Sequence, residues 1–262
     1  MIHKIINLRE ETNGFIPTLT TYILDDPMEG RAKRPAVVIC PGGGYEFCSP
    51  REAEPIAMQF NAAGFHAFVL NYSVKPFKFP RALEELSMSV AMIRENAEEW
   101  MIEKNKIAVC GFSAGGHLAC SLGMFWNTDI VKRDDQANKP NAMILAYPVI
   151  SSGTFAHEGS FNNLCETEEQ KKYTSLETQT SKDTPPAFIW HTFEDACVPV
   201  ENSLLLAGQM RKQGIPFELH IYQKGAHGLS TAKPDVGVNI KDISANILGW
   251  PALAASWLNE LS

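Results

Sequence analysis

The 262-residue chain contains no apolar run approaching the ~20 residues needed to span a bilayer. Its first residues, Met1 to Leu8, carry neither an uninterrupted apolar core nor a small-residue cleavage site. From these absences we expect a cytoplasmic protein. Basic residues are not in excess either: 23 Lys and Arg against 30 Asp and Glu give a formal net charge of -7. Nucleic acid and anionic membranes would repel such a surface at long range, so neither is an expected partner. A neutral or weakly charged small-molecule substrate is. Cysteine is sparse, with six residues and no C-x-x-C pair, which speaks against a zinc site, a redox motif or a disulfide framework and for buried free thiols. No repeat and no low-complexity tract is present, and nothing calls for a metal or cofactor. Composition leaves the oligomeric state open, a homo-oligomer included.

What is present is an ordinary globular composition, 45% hydrophobic and 20% charged, over a length suited to one α/β domain across residues 1–262. Residues 15–24 are β-branched and partly alternating, as in an antiparallel edge strand. Apolar strand patterns follow at residues 35–40, 64–72, 106–110, 142–150, 187–192 and 216–222. Helical periodicity fills the gaps at 80–100, 116–124, 200–214 and 250–261. Strands alternating with helices predict a mostly parallel central sheet with helices on both faces. The helix at 80–100 carries Glu84, Glu85, Arg94, Glu95, Glu98 and Glu99 on one face, read as a solvated surface. Residues 151–186 break the rhythm. They are polar and poor in strand signals, and read as a pocket-shaping insertion or a surface excursion.

The most informative stretch is Gly111-Phe112-Ser113-Ala114-Gly115, a G-x-S-x-G pattern between a strand and a helix. A strand turning sharply into a helix forces its middle residue into a strained backbone conformation and presents it alone at the sheet edge. Ser113 is therefore the candidate nucleophile. The second stretch is Pro41-Gly42-Gly43-Gly44-Tyr45, directly after a buried strand. It lacks the later Gly-Lys-Ser/Thr of a phosphate loop and the spacing of a dinucleotide fingerprint. A plain turn is one reading; a loop of bare N–H groups aimed at a developing negative charge is the other, favoured by the elbow downstream.

A serine hydroxyl needs a base, and the base needs an acceptor behind it. Of seven histidines, His227 sits in a loop of small residues, Gly225-Ala226-His227-Gly228, just after the last strand. His66 and His220 lie within strands, and His117 falls one helical turn beyond Ser113. His191 ends a strand but precedes the candidate acid, while His3 and His157 lie in segments with no clear pattern. The acid is Asp195, on the loop that leaves residues 187–192, with Glu194 as competitor. The chain order Ser113, Asp195, His227 is that of α/β-hydrolases.

On these residues the sequence resembles α/β-hydrolases of the esterase/lipase group, and more narrowly bacterial acetyl xylan esterases and sugar-ester hydrolases. The resemblance implies the α/β-hydrolase fold and a serine esterase with Ser113, Asp195 and His227 catalytic. The oxyanion hole would be made by Gly43, Gly44 and Ala114, with Tyr45 binding substrate. Short acyl esters on polar alcohols, O-acetylated sugars or xylo-oligosaccharides, are the implied substrates. One departure stands out: many relatives carry, in place of Pro41, a histidine that braces the oxyanion loop. A peptidase or amidase on the same fold and a catalytically silent ligand-binding protein are the competing readings.

Overall fold

A computed structural model describes residues 1–25 and 33–261. Eight strands form one sheet in the order β1-β2-β4-β3-β5-β6-β7-β8. These are β1 (Ile5–Asn7), β2 (Thr18–Tyr22), β3 (Arg34–Cys40), β4 (His66–Asn71), β5 (Ile102–Phe112), β6 (Ala142–Ala146), β7 (Ala187–Thr192) and β8 (Phe217–Tyr222). The pairings from β4 through β3, β5, β6 and β7 to β8 are parallel. β1 and β2 attach antiparallel to the flank of β4.

The helices are α1 (Glu54–Ala62), α2 (Arg81–Glu95), α3 (Ala114–Phe125), α4 (Glu158–Leu164), α5 (Glu168–Tyr173), α6 (Glu201–Gln213) and α7 (Trp250–Glu260). Successive side chains of a strand point to opposite faces, so β3 feeds two cores. Ala36, Val38 and Cys40 pack with Leu86 and Val90 of α2, Leu118 of α3 and Met210 of α6. Val37 and Ile39 pack with Phe60 of α1 and Trp250 of α7. Burial on both faces is why β3 reads as a continuous apolar run rather than an alternation. The α/β-hydrolase architecture expected from the sequence is the one observed.

Two local expectations are corrected. The strand at 15–24 is not an edge, because β1 pairs beyond it, Ile5 opposite Thr20; three residues were too few to register as a strand. The acidic face of α2 is not wholly solvated, because Glu85 is fully buried. Its carboxylate accepts from Ser73 N at 2.7 Å and Ser73 Oγ at 2.6 Å, with Arg81 Nε at 3.3 Å. Burial pushes its carboxyl up, and the Ser73 hydrogen bonds and neighbouring arginines pull against that shift. No helix among the described residues is long and apolar enough to cross a membrane.

Candidate active site

In an open parallel sheet, groups that meet a ligand gather beyond the carboxyl ends of the strands. The elbow follows β5, the glycine loop β3, Asp195 β7 and His227 β8, so four distant stretches share one rim.

The elbow is built by steric exclusion. Ser113 has φ 53 and ψ -119, outside the conformations open to most residues. A Cβ on Gly111 would lie 2.1 Å from the carbonyl oxygen of Gly115, and one on Gly115 would lie 2.1 Å from that of Cys40. Neither backbone oxygen can yield without moving the element it belongs to, α3 for Gly115 and β3 for Cys40. Gly115→Ala is therefore expected to destabilise the fold by about 3 kcal/mol or more, lowering the midpoint of thermal unfolding by roughly 6–12 °C. A melting curve matching the parent's would show that β3 and α3 are less tightly apposed than this.

Ser113 Oγ lies 2.8 Å from His227 Nε2, and His227 Nδ1 lies 2.6 Å from Asp195 Oδ2. Facing a carboxylate, Nδ1 carries the ring proton, which leaves Nε2 to accept from the serine. Asp195 is held from behind: its Oδ1 accepts from Cys197 N at 3.0 Å and Val198 N at 2.9 Å. Burial by itself would raise its carboxyl. Hydrogen bonds from His191 and His227, with the backbone donors, outweigh that and hold it well below the ordinary aspartate range. The competitor Glu194 instead faces Gly225 N at 3.4 Å.

The glycine loop is fixed carbonyl by carbonyl. Pro41 O accepts from Tyr72 Oη at 2.6 Å and Gly42 O from Ser49 N at 2.9 Å. Gly43 O accepts from Glu46 N at 2.9 Å, and Gly44 O from Asn163 Nδ2 at 2.8 Å. A trans peptide points its N–H opposite to its C=O. Anchoring the carbonyls of Gly42 and Gly43 thus turns the N–H groups of Gly43 and Gly44 the other way, with no acceptor among the described residues. Gly43 has φ +127 and its Cβ would meet Phe47 O at 2.1 Å, so no other residue fits there. Ala114, fully buried, opens α3 directly after Ser113, where the first N–H groups of a helix have no partner within it. The loop is further held by Tyr72 and, from Gly42 N to Glu52 Oε2 at 2.8 Å, by a buried carboxylate.

These groups border an open cavity of about 390 Å³, whose lining includes Ser113, His227, Gly43, Gly44, Phe47 and His157. A separate cavity of about 220 Å³ lies near the opposite end of β5, among Pro35, Phe65, Ile107 and Leu258, with no serine, cysteine, histidine or carboxylate in its wall. No cluster of metal-binding side chains occurs among the described residues.

Tyr45 requires a correction. Its side chain is 2% exposed and its hydroxyl lies 2.9 Å from His117 Nδ1, so it packs beneath the loop rather than meeting a ligand. His117 Nε2 donates to Thr174 O at 2.8 Å; burial pushes its pKa down to about 4, consistent with a neutral structural imidazole. His191 is likewise structural, its Nε2 2.9 Å from Val198 O and its Nδ1 2.8 Å from Ser203 Oγ. Cys197, expected among the buried thiols, is exposed on the cavity wall.

Of the cavity residues not singled out from the sequence, two have partners that bear on the site. His157 caps α4, its Nδ1 accepting from Ser160 N at 3.3 Å, which leaves Nε2–H as a donor. Burial, and then the nearby His227, lower its pKa, Asp195 opposing. Its place in a polar stretch with no clear pattern gave no sequence signal. The other is Glu52, one of two acids, with Glu54, between Pro50 and Pro55, and nothing in that stretch set it apart.

The BD-FAE family pattern matches residues 24–210. The chain is 40% identical over 240 residues to endo-1,4-beta-xylanase B of Butyrivibrio fibrisolvens, covering 86% of this chain and 36% of that protein. It is 31% identical over 202 residues to an acetylxylan esterase of Xylanibacter ruminicola, covering 74% and 40%. The chain thus spans well under half the length of these two curated relatives. A crystal structure of an acetyl ester-xyloside bifunctional hydrolase from Caldicellulosiruptor lactoaceticus superposes with a TM-score of 0.85 at 38% identity, covering 98% of this chain and 95% of that one.

Proposed function

The chain belongs to the BD-FAE family and has the α/β-hydrolase fold, and from that premise we propose that it hydrolyses short-chain acyl esters, O-acetyl groups on sugars or xylo-oligosaccharides, through an acyl-enzyme on Ser113. The observation that carries this reading is the unbroken relay of 2.8 Å and 2.6 Å from Ser113 through His227 to Asp195, beside a loop with unused N–H groups.

His227 Nε2 takes the proton as Ser113 Oγ bonds to the ester carbonyl carbon. The carbonyl π electrons move onto oxygen, where N–H groups of Gly43, Gly44 and Ala114 stabilise the charge. Asp195 stabilises the imidazolium and fixes its tautomer. Collapse of the tetrahedral intermediate breaks the bond to the alcohol oxygen, which receives the proton from His227. Water, deprotonated by the same imidazole, then attacks the acyl-enzyme and releases the carboxylate and Ser113.

The sugar acetate reading draws on the names of the relatives and on the cavity wall. Arg51, Glu46, Ser49 and the Nε2–H of His157 offer polar partners for hydroxyls, and Phe47, 56% exposed, offers an apolar face for a pyranose ring. Residues 151–186 contribute His157 to the wall and Asn163 to the loop, so we assign them a pocket-shaping part. Assayed against acetylated xylo-oligosaccharides and p-nitrophenyl esters of increasing acyl length, the enzyme should turn over acetyl esters. Its kcat/KM should fall at least about tenfold by octanoate, each misplaced methylene being worth about 1 kcal/mol or more. Equal or better turnover of long acyl chains would remove the short-chain assignment.

A further inference from the structure

Glu52 has no part in the relay, yet it is the buried carboxylate nearest the glycine loop. It sits in the turn Pro50–Glu52, 4% exposed. Oε2 accepts from Gly42 N at 2.8 Å and Oε1 from Tyr147 Oη at 2.6 Å. The tyrosine donates there because its oxygen already accepts from Ser230 N at 2.8 Å. Arg51, its neighbour, spends a guanidinium N–H on Gly228 O at 3.1 Å instead. Burial pushes the Glu52 carboxyl up; Tyr147 and Gly42, then the charges of His227 and Arg51, pull it back.

The two ends of this bridge are the two loops that must stay in register during reaction. Gly42 precedes the free N–H groups of Gly43 and Gly44. Ser230 lies three residues beyond His227, and the Tyr147 ring stands edge-on to that imidazole at 5.0 Å. Tyr147 and Ser230 hold positive φ of 38 and 53, conformations retained where the surroundings over-determine them. A hydrophobic side chain at position 52 would fill the space but free a buried N–H and a buried phenol, so packing alone does not account for a carboxylate here.

We propose that Glu52 is a positioning residue that locks the oxyanion loop to the histidine loop, so that the Gly43 and Gly44 donors and the His227 base are held in one geometry. It rests on the catalytic reading of Ser113 above. Glu52 touches no reacting atom; it acts through Gly42 and Tyr147.

The test uses Glu52→Gln, Glu52→Leu and Tyr147→Phe in the full chain, with acetyl ester kinetics and binding of methylboronic acid. The boronate adds to a nucleophilic serine to give a tetrahedral anion that mimics the intermediate. Glutamine keeps one oxygen for Gly42 N and loses the acceptor for Tyr147, whereas leucine loses both. Glu52→Leu should lower kcat about 30- to 100-fold with KM within about threefold, Glu52→Gln about tenfold, and Tyr147→Phe less, in that order. Boronate affinity should weaken in step with kcat/KM, and the affinity of the product acetate should not. A Glu52→Leu chain that fails to fold leaves Glu52→Gln and Tyr147→Phe to decide. A folded Glu52→Gln with kcat within twofold of the parent overturns the proposal, as does a loss confined to KM or a boronate affinity that does not move. Ser113→Ala assayed alongside separates the two levels: retained turnover there removes the underlying catalytic reading, whereas silence there with a fully active Glu52→Gln removes only Glu52.

Discussion

Replacing Ser113 by alanine is expected to lower kcat for acetyl ester hydrolysis by about 10⁵- to 10⁶-fold and to leave the protein folded. The loss is large because, among the described residues, no other hydroxyl or thiol on the cavity wall is hydrogen-bonded to His227. Cys197, also on the cavity wall, is exposed as a residue, yet partial desolvation of its thiol and the charge of Asp195 push its pKa up, which keeps the reactive thiolate scarce. The fold should survive because the strained conformation at position 113 comes from backbone contacts: Ser113 N donates to Ala146 O at 3.0 Å, and His117 N and Val149 N donate to Ser113 O at 3.0 and 3.1 Å. Alanine accommodates φ 53 no worse than serine, so the thermal midpoint should stay within a few degrees. Purified variant and parent, compared by turnover and by melting, decide the matter. Activity above 1% of the parent in the variant would exclude Ser113 as nucleophile.

That serine was legible in the sequence because the constraint on it is local. The glycines at 111 and 115 are required by contacts within the turn and with the adjacent β3, and a strand pattern on one side and a helix pattern on the other announce the bend. Asp195 and His227 were legible for a related reason: each leaves a recognisable strand, and parallel strands deliver the residues that follow them to one rim. Glu52 was not, because its partners, Gly42 at one end and Tyr147 at the other, meet only once β3 and β6 are placed on either side of β5. His157 was hidden in a polar stretch whose path over the sheet has no periodic signal. Tyr45 was misplaced for the opposite reason. Lying next to the glycines suggested a ligand contact, but a positive φ of 57 turns its ring inward onto His117. The same limit explains Glu85, whose partner Ser73 sits in a different segment, so that its helical position alone reads as solvent.

Changing Asp195 to asparagine should lower kcat by about 10⁴-fold, through the tautomer of His227 rather than through any loss of shape. Cys197 N and Val198 N each need an acceptor at the position of Oδ1, so the amide oxygen of asparagine takes that place and its NH₂ faces His227 Nδ1 across 2.6 Å. Two donors cannot face each other there. The imidazole proton must move to Nε2, which then donates toward Ser113 and can no longer accept from it. The same substitution carries a signature in stability. The folded carboxyl of Asp195 titrates well below the ordinary aspartate range, whereas in the unfolded chain it titrates near 3.9. A depressed folded value means that the ionised group stabilises the native state at every pH above about 4. That contribution is lost progressively as pH falls from there through the lower folded value. Asparagine does not titrate. The parent should therefore melt above the variant at pH 7, and the gap between them should narrow as the pH is lowered below about 4. Melting curves of both proteins from pH 7 to pH 3 measure this directly. A gap that stays constant would mean that the carboxylate's charge adds nothing to folding, and that His191, His227 and the two backbone donors hold an asparagine as well as an aspartate.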